Sequence, residues 1–303
     1  MEEYTFCTDC CLRDEPAFCT GACPFGLPMR DMMEKLQRGR FDAAYRVLRN
    51  AVGFPAVVAE LCPAPCEAAC VRADAGGAIN IHRLEQAIVA HAGNKEPVDF
   101  NVPPKPQRIA VVGGGLSGLA CALRFAVMNY AVTVFEAEVQ LGGSALAAMD
   151  PAVVAEDIAL QFRHAPCEFR LDTRVTDLAP LAKEYGAVYV ATGAGGDAFS
   201  LAVTQGGWGT DLPGVFLGGG LTGKGVAAAI ADGLHAAGAM EAYLKTGNMA
   251  TPAPVTGTRM VLDPRALGDP VPPIQPAGNI YTSEEAVAEA KRCLRCACDS
   301  CRR

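Results

Sequence analysis

Twelve of the fourteen cysteines stand at the two ends of this 303-residue chain. Eight fall between Cys7 and Cys70, in CTDCC, FCTGACP and LCPAPCEAAC, and four close the chain in CLRCACDSC. Such crowding constrains the fold strongly, because the short segments between paired thiols must converge on common centres. No secretory h-region opens the sequence and no uninterrupted apolar run reaches the ~18 residues of a membrane span, so a cytoplasmic protein with reduced thiols is expected. Reduced cysteines at these spacings read as metal or redox ligands rather than disulfide halves. The formal net charge of −7 leaves no electrostatic footprint for nucleic acid or anionic lipid.

The remaining two, Cys121 in GLACALRFAV and Cys167 ahead of a short strand, are expected as buried hydrophobes. From 28 to 91 the pattern is helical: Met32, Met33 and Leu36, then Phe41, Ala44, Tyr45 and Leu48, recur at three and four residues. A further helix starts near Asn80, a good capping residue, with Ile81, Leu84, Ile88 and Val89 as its apolar stripe. Glu85 lies inside that stripe. A carboxylate facing a core is costly unless a cation, a donor or a metal partners it.

Residues 94–107 are polar and proline-rich and read as a linker, after which the periodicity becomes that of a parallel α/β unit. Strands are expected at 108–112, 131–135, 168–171, 187–191 and 215–217, and helices at 119–128, 153–164 and 224–244. Residues 251–279 should form an extended tail, followed by a last helix over 283–294. The expected organisation is therefore a helical metal-binding domain at 1–105, a dinucleotide-binding domain at 106–250 and a cysteine-bearing C-terminal segment at 251–303. No Ser, His and Asp constellation emerges, so no catalytic residue is assigned.

GGGLSG supplies GxGxxG at Gly113, Gly115 and Gly118, with Ser117 inside it. The first glycine permits the turn, the second lets pyrophosphate approach the backbone, and the third lets helix and strand pack closely. Glu136, 18 residues beyond Gly118 at a strand end, is placed to accept hydrogen bonds from an adenosine ribose and disfavours a 2′-phosphate. Gly142 and Gly143, then Thr192 and Gly193, then PGVFLGGG with Gly219 and Gly220, follow the order of the FAD half of two-dinucleotide flavoproteins. FAD is accordingly expected in preference to NAD, and Val175 completes the expected cofactor contacts.

The whole chain resembles the small (beta) subunit of glutamate synthase and the N-terminal region of dihydropyrimidine dehydrogenase. The match rests on CxxC at Cys7 and Cys10, CxxxCP at Cys19 and Cys23, CPxxCExxC at Cys62, Cys66 and Cys70, and GAINIHRLEQ from 77 to 86. The resemblance implies a helical domain with two 4Fe-4S clusters ahead of a Rossmann-like FAD domain. It further implies one cluster on Cys7, Cys10, Cys19 and Cys70, and another on Cys23, Cys62, Cys66 and a non-cysteine ligand, Glu85. The gap between Cys10 and Cys19 is longer than the family's and contains Cys11, which competes with Cys10 as ligand. Zinc is the alternative metal for paired cysteines.

Two departures shape the functional expectation. The family inserts an NADPH-binding domain ahead of its last glycine motif, yet only 22 residues separate Thr192 from Val215. A single βαβ unit already needs roughly 30 residues, so an NADPH domain is not expected. Where the family has Asp in its GGD motif this chain has Gly220, which leaves the backbone amides of Gly219 and Gly220 to face the pyrophosphate.

Cys293, Cys296, Cys298 and Cys301 resemble a segment that follows the FAD domain in related flavoproteins, and are expected to close a third 4Fe-4S cluster; zinc or sharing with a partner chain are the competing readings. The reading as a whole is an FAD- and iron–sulfur-containing electron-transfer subunit of a multi-subunit oxidoreductase, docking on other subunits and ferredoxin-like carriers. The alternatives are a stand-alone NADPH-dependent oxidoreductase of the glutamate synthase type and a zinc-binding, non-enzymatic scaffold.

Overall fold

A computed structural model describes residues 15–99, 101–203, 207–249, 257–261 and 267–296. Cys7, Cys10, Cys11, Cys298 and Cys301 lie outside the described residues. Contacts divide the chain into two units that are not consecutive: Met1–Ala51, Pro63–Lys95 and Val255–Arg303 make one, and Val52–Cys62 with Glu96–Pro254 make the other.

The first unit is helical. Helices α1 (Phe18–Ala22), α2 (Met29–Gln37) and α3 (Phe41–Val52) are followed, beyond α4 (Pro55–Leu61), by α5 (Pro65–Ala68), a 3-10 turn (Val71–Asp74) and α6 (Ile81–His91). Met29, Met32, Met33 and Leu36 bury one face of α2, and Ile81, Leu84, Ala87 and Ile88 bury that of α6. Asn80 occupies the N-cap position of α6 but does not cap with its side chain; its Nδ2 donates to Tyr281 Oη at 2.8 Å. The competing partner is a buried tyrosine that sequence distance concealed.

The second unit holds a five-stranded parallel sheet in the order β3-β2-β1-β4-β5. Its elements run β1 (Arg108–Val112), α7 (Leu116–Val127), β2 (Ala131–Phe135), α8 (Ala145–Ala148), α9 (Pro151–Gln161), β3 (Glu168–Arg170), α10 (Ala179–Glu184), β4 (Ala187–Val190), β5 (Val215–Leu217) and α11 (Val226–Thr246). Strands β1 and β4 carry the continuous apolar runs demanded when both faces of a parallel sheet are covered. Helices α7 and α11 pack together. Their approach depends on Gly233, where an added Cβ would stand 2.0 Å from the Ser117 carbonyl oxygen.

Helix α4 belongs with this unit because Asp157 of α9 caps it from a distance. Asp157 Oδ2 accepts the N–H groups of Ala56 and Val57 at 2.9 and 3.1 Å, relieving the orphan donors of a helix start. Cys121 is fully buried as expected, whereas Cys167 is only half-buried because β3 is a short edge strand. No helix among the described residues is long and apolar enough to cross a membrane.

The last helix, α12 (Ser283–Lys291), packs on α2 and α6 of the first unit. Thr282 and Glu285 form a reciprocal capping box at its start. At its other end Glu289 and Arg292 are buried and ion-paired at 2.6 Å. Glu289 accepts the amides of Asn80 and Ile274, while Arg292 donates to the carbonyls of Gly77, Ala78 and Val271. A buried pair whose remaining donors and acceptors are all engaged fixes one register of the C-terminal segment.

Candidate functional site

In the first unit, four cysteines line one pocket: Cys19 on α1, Cys70 ahead of the 3-10 turn, and Cys293 and Cys296 just beyond α12. Three side chains hold the backbone that carries the last two. Arg72 Nε donates to the Arg292 carbonyl at 3.0 Å, Gln37 Nε2 to that of Cys293 at 3.1 Å, and Arg30 Nε to that of Cys296. Arg295, between the cysteines, takes φ 47°, a left-handed conformation uncommon outside glycine. Its amide donates to Cys293 Sγ at 3.4 Å, and the Ile79 amide donates to Cys70 Sγ at 3.5 Å.

Burial, then the neighbouring thiols Cys293, Cys70 and Cys296, pushes the Cys19 thiol up to about 12. Burial likewise pushes Cys293 up to about 11, against the amide of Arg295. Thiolates crowded in this way repel one another unless a cationic centre lies between them. Among the described residues no three such side chains close on the position of a single metal ion. The four thiols instead surround a space.

A second cysteine group adjoins it. Cys23 ends α1, and α1 packs on α5, which carries the buried Cys66. Burial raises the Cys23 thiol while the amides of Leu27, Phe25 and Gly26 oppose the rise. Glu85 is 4% exposed on α6, with Oε2 lacking any hydrogen-bond partner. Burial, then the charge of Glu67, pushes its carboxyl up to about 8. Glu85 also acts electrostatically on Cys23, so the orphaned carboxylate and the thiol are near neighbours. An unpartnered buried carboxylate beside cysteines fits a metal ligand, which would replace its missing partner. Cys62 is half-buried at the end of α4.

The second unit carries a cleft of about 1330 Å³ along the carboxyl ends of β1 and β4, where open α/β sheets place their ligands. Gly113, Gly115, Ser117 and Glu136 line it, as do Gly143, Val175, Thr192, Gly193 and Gly220. The glycine turn divides its labour as its spacing suggests. A Cβ on Gly113 would lie 2.3 Å from the Ala191 carbonyl oxygen, and one on Gly118 only 2.0 Å from that of Gly113, so both close the packing of turn against sheet. At Gly115 the nearest atom would be 3.9 Å away. Its face is open, leaving the start of α7 accessible to an anion. Glu136 accepts the amides of Gly114 and Glu138, which orients its carboxylate at the rim.

Gly118, Gly142 and Gly219 do not line the cleft. Gly142 instead donates its amide to Gly114 at 2.9 Å and pins the neighbouring turn. The expectation for Gly219 requires correction: its amide donates to Asp232 of α11 and is not left for a pyrophosphate. Helix α11 also begins at Val226, so Gly219 and Gly220 sit in a separate 3-10 turn (Gly219–Thr222) rather than at the helix entry. Sequence reasoning missed Asp232, which also accepts from Trp208 Nε1 and Lys224 Nζ. The available signal was a lone carboxylate within the apolar run AAAIADGL. Lys224, Phe199 and Asp197 line the cleft and were likewise missed. Among the described residues of 193–214 there is no helix or strand, only the isolated bridges Val203↔Thr210 and Gly209↔Phe216.

The fold and its two sites place the chain in a class: a helical iron–sulfur domain followed by a Rossmann-like dinucleotide-binding domain. Residues 1–97 match the family described as dihydropyrimidine dehydrogenase domain II, 4Fe-4S cluster, and residues 111–168 match the NAD(P)-binding Rossmann-like domain. These two matches, and the relatives below, agree with the resemblance to the glutamate synthase small chain and the dihydropyrimidine dehydrogenase N-terminal region over the residues they cover. The chain is 35% identical over 144 residues to the glutamate synthase [NADPH] small chain of Mycobacterium tuberculosis, covering 47% of this chain and 29% of that protein. It is 29% identical over 207 residues to the putative oxidoreductase UacF of Escherichia coli, covering 63% and 32%. With the NADPH-Fe(3+) oxidoreductase subunit beta of Geobacter sulfurreducens it shares 29% identity over 188 residues, 58% of this chain and 28% of that one. The match thus spans less than a third of each of these relatives.

Proposed function

We propose that this chain is an electron-transfer subunit carrying FAD and 4Fe-4S clusters, which relays electrons between its clusters, its flavin and partner subunits. The observation that carries this reading is the orphaned Glu85 carboxylate beside Cys23, a position that makes physical sense once a cluster iron is its partner. Cys23, Cys66 and Glu85 are among the ligands of one cluster, and the amides of Leu27, Phe25 and Gly26 turn towards the Cys23 sulfur to stabilise its thiolate. When bound, FAD supplies one- or two-electron chemistry and the clusters supply one-electron steps.

The chain's own groups bind and orient. The open face at Gly115 and the first turn of α7 receive the pyrophosphate, Glu136 the adenosine ribose, and Val175 and Thr192 flank the cleft. Lys224 projects into the same cleft with its ammonium held by Asp232, a fixed positive charge beside the place of an anionic cofactor. The 22-residue stretch after Thr192 holds no room for a nicotinamide domain, so reducing equivalents are exchanged with partner subunits or ferredoxin-like carriers.

The test is anaerobic purification with iron, zinc, acid-labile sulfide and released flavin measured per chain. About four iron and four sulfide for each cluster, with one FAD, is the expected result. Zinc without iron or flavin would overturn the reading. Rapid bleaching of the flavin by NADPH alone would assign the chain to stand-alone NADPH oxidation instead.

A further inference from the structure

We infer that a single iron–sulfur cluster is closed by both ends of the chain, with Cys19 and Cys70 from the N-terminal helices and Cys293 and Cys296 from the C-terminal segment as its four ligands. This departs from the division that the resemblance implies, in which Cys19 and Cys70 pair with Cys7 and Cys10 and the C-terminal cysteines close a cluster among themselves. It rests on the proposed function only in taking the cluster to be iron and sulfide.

Three observations carry it. The four cysteines line one pocket, together with Arg30 and Arg72. Two of the sulfurs already accept backbone amides, Cys70 from Ile79 and Cys293 from Arg295, and amide donors of this kind tune and stabilise cluster thiolates. Finally, the segment bearing Cys293 and Cys296 is not loosely appended. Arg30, Gln37 and Arg72 each grip a carbonyl at or beside these cysteines, and the buried Glu289–Arg292 pair fixes the preceding turn. A positive-φ residue between two cysteines, held by three donors from distant sequence, is backbone spent on presenting those two sulfurs.

The arrangement also gives the cluster a structural task. Bridging residues more than 200 apart in sequence, it ties the C-terminal segment to α1 and the 3-10 turn as a long-range crosslink does, adding to the hydrogen bonds and the buried ion pair that hold the segment without it.

Iron content of paired substitutions tests the assignment. C19S/C70S and C293S/C296S are each expected to lose about four iron atoms per chain, and the quadruple variant no more than either pair, since one 4Fe-4S cluster is removed in all three. Both pairs should abolish the same reduced-state electron paramagnetic resonance signal, while C7S/C10S retains it, with bound flavin reporting that the nucleotide domain is intact. Additive losses of about eight iron atoms in the quadruple variant, or loss of that signal in C7S/C10S but not in C293S/C296S, would overturn the inference.

A second measurement does not depend on variants that keep their iron. In wild-type protein stripped of clusters by a chelator, a short bifunctional thiol crosslinker should join a Cys19 or Cys70 peptide to a Cys293 or Cys296 peptide. Crosslinks that join the last two only to each other would refute the shared site. A wild-type chain purified without iron would instead remove the proposed function, a failure distinct from both.

Discussion

Trp208 Nε1 donates to the buried carboxylate of Asp232 at 2.7 Å, tying the short connection after β4 to the second turn of α11. Asp232 accepts two further donors, Lys224 Nζ and the Gly219 amide, so one carboxylate secures three segments around the mouth of the nucleotide cleft. This knot fastens the 22-residue connection between Thr192 and Val215 to α11.

Asp232→Ala removes the acceptor of a buried indole N–H and a buried amide together. Unsatisfied buried donors cost about 1–3 kcal/mol each, so a loss of about 3 kcal/mol is expected in chemical denaturation. Trp208→Phe keeps most of the packing and removes one hydrogen bond, for an expected loss of about 1 kcal/mol. Equal effects from the two variants would contradict the shared-acceptor account.

The glycine turn separates stability from binding. Gly118→Ala would place its Cβ 2.0 Å from the Gly113 carbonyl oxygen, against backbone that has nowhere to move, and soluble folded protein should be lost. Gly115→Ala meets nothing closer than 3.9 Å in ordinary extended backbone, so the fold should persist while the methyl occupies the path of the pyrophosphate. Thermal melts and flavin content of the purified variants distinguish the two outcomes.

Glu85→Gln should lower iron content by about four atoms per chain without unfolding the helical unit, because the amide fits the same space but is a poor iron ligand. In the metal-free chain the carboxyl lies above its ordinary value, at about 8, because burial and Glu67 disfavour the charge. The folded state then holds the proton more tightly than the unfolded one. The stability this confers is fully present below about pH 4.5 and is lost as pH rises through about 8. Denaturant midpoints of the chelated protein should fall between pH 5 and 8.5 for the wild type and stay flatter for Glu85→Gln.

Arg292→Met leaves Glu289 buried without its cation and frees the carbonyls of Gly77, Ala78 and Val271. Breaking a buried pair from one side costs about 3–5 kcal/mol. The loss should be local, appearing in hydrogen exchange as faster labelling of α12 and of the 267–282 segment while β1 and β4 stay protected. Uniform acceleration across the sheet would show the pair to be a global rather than a local fastening.

Much of the second unit was readable because its signals are local. The five strands and the glycine turn follow from runs of adjacent residues whose backbone and burial demands are met within a βαβ unit. Helix α10 and the short α8 escaped notice, each being too short to establish a period. Glu85 was legible as an anomaly because a carboxylate in an apolar stripe breaks its own pattern. Glu289 and Arg292 were not, since charges three apart on a terminal helix read as surface until their burial is known.

The linear order of residues already supplies the chemical groups: closely spaced thiols, a dinucleotide turn with its acid, and only 22 residues between Thr192 and Val215. Which of those groups meet is settled by packing between distant segments. Spacing reports neighbours along the chain, and the approach of Cys293 and Cys296 to Cys19 and Cys70 crosses more than 200 residues. That approach is set by half-buried Gln37 of α2 and buried Arg72 and Arg292, each gripping backbone distant in sequence, a long-range balance of desolvation and hydrogen bonding that no local pattern encodes.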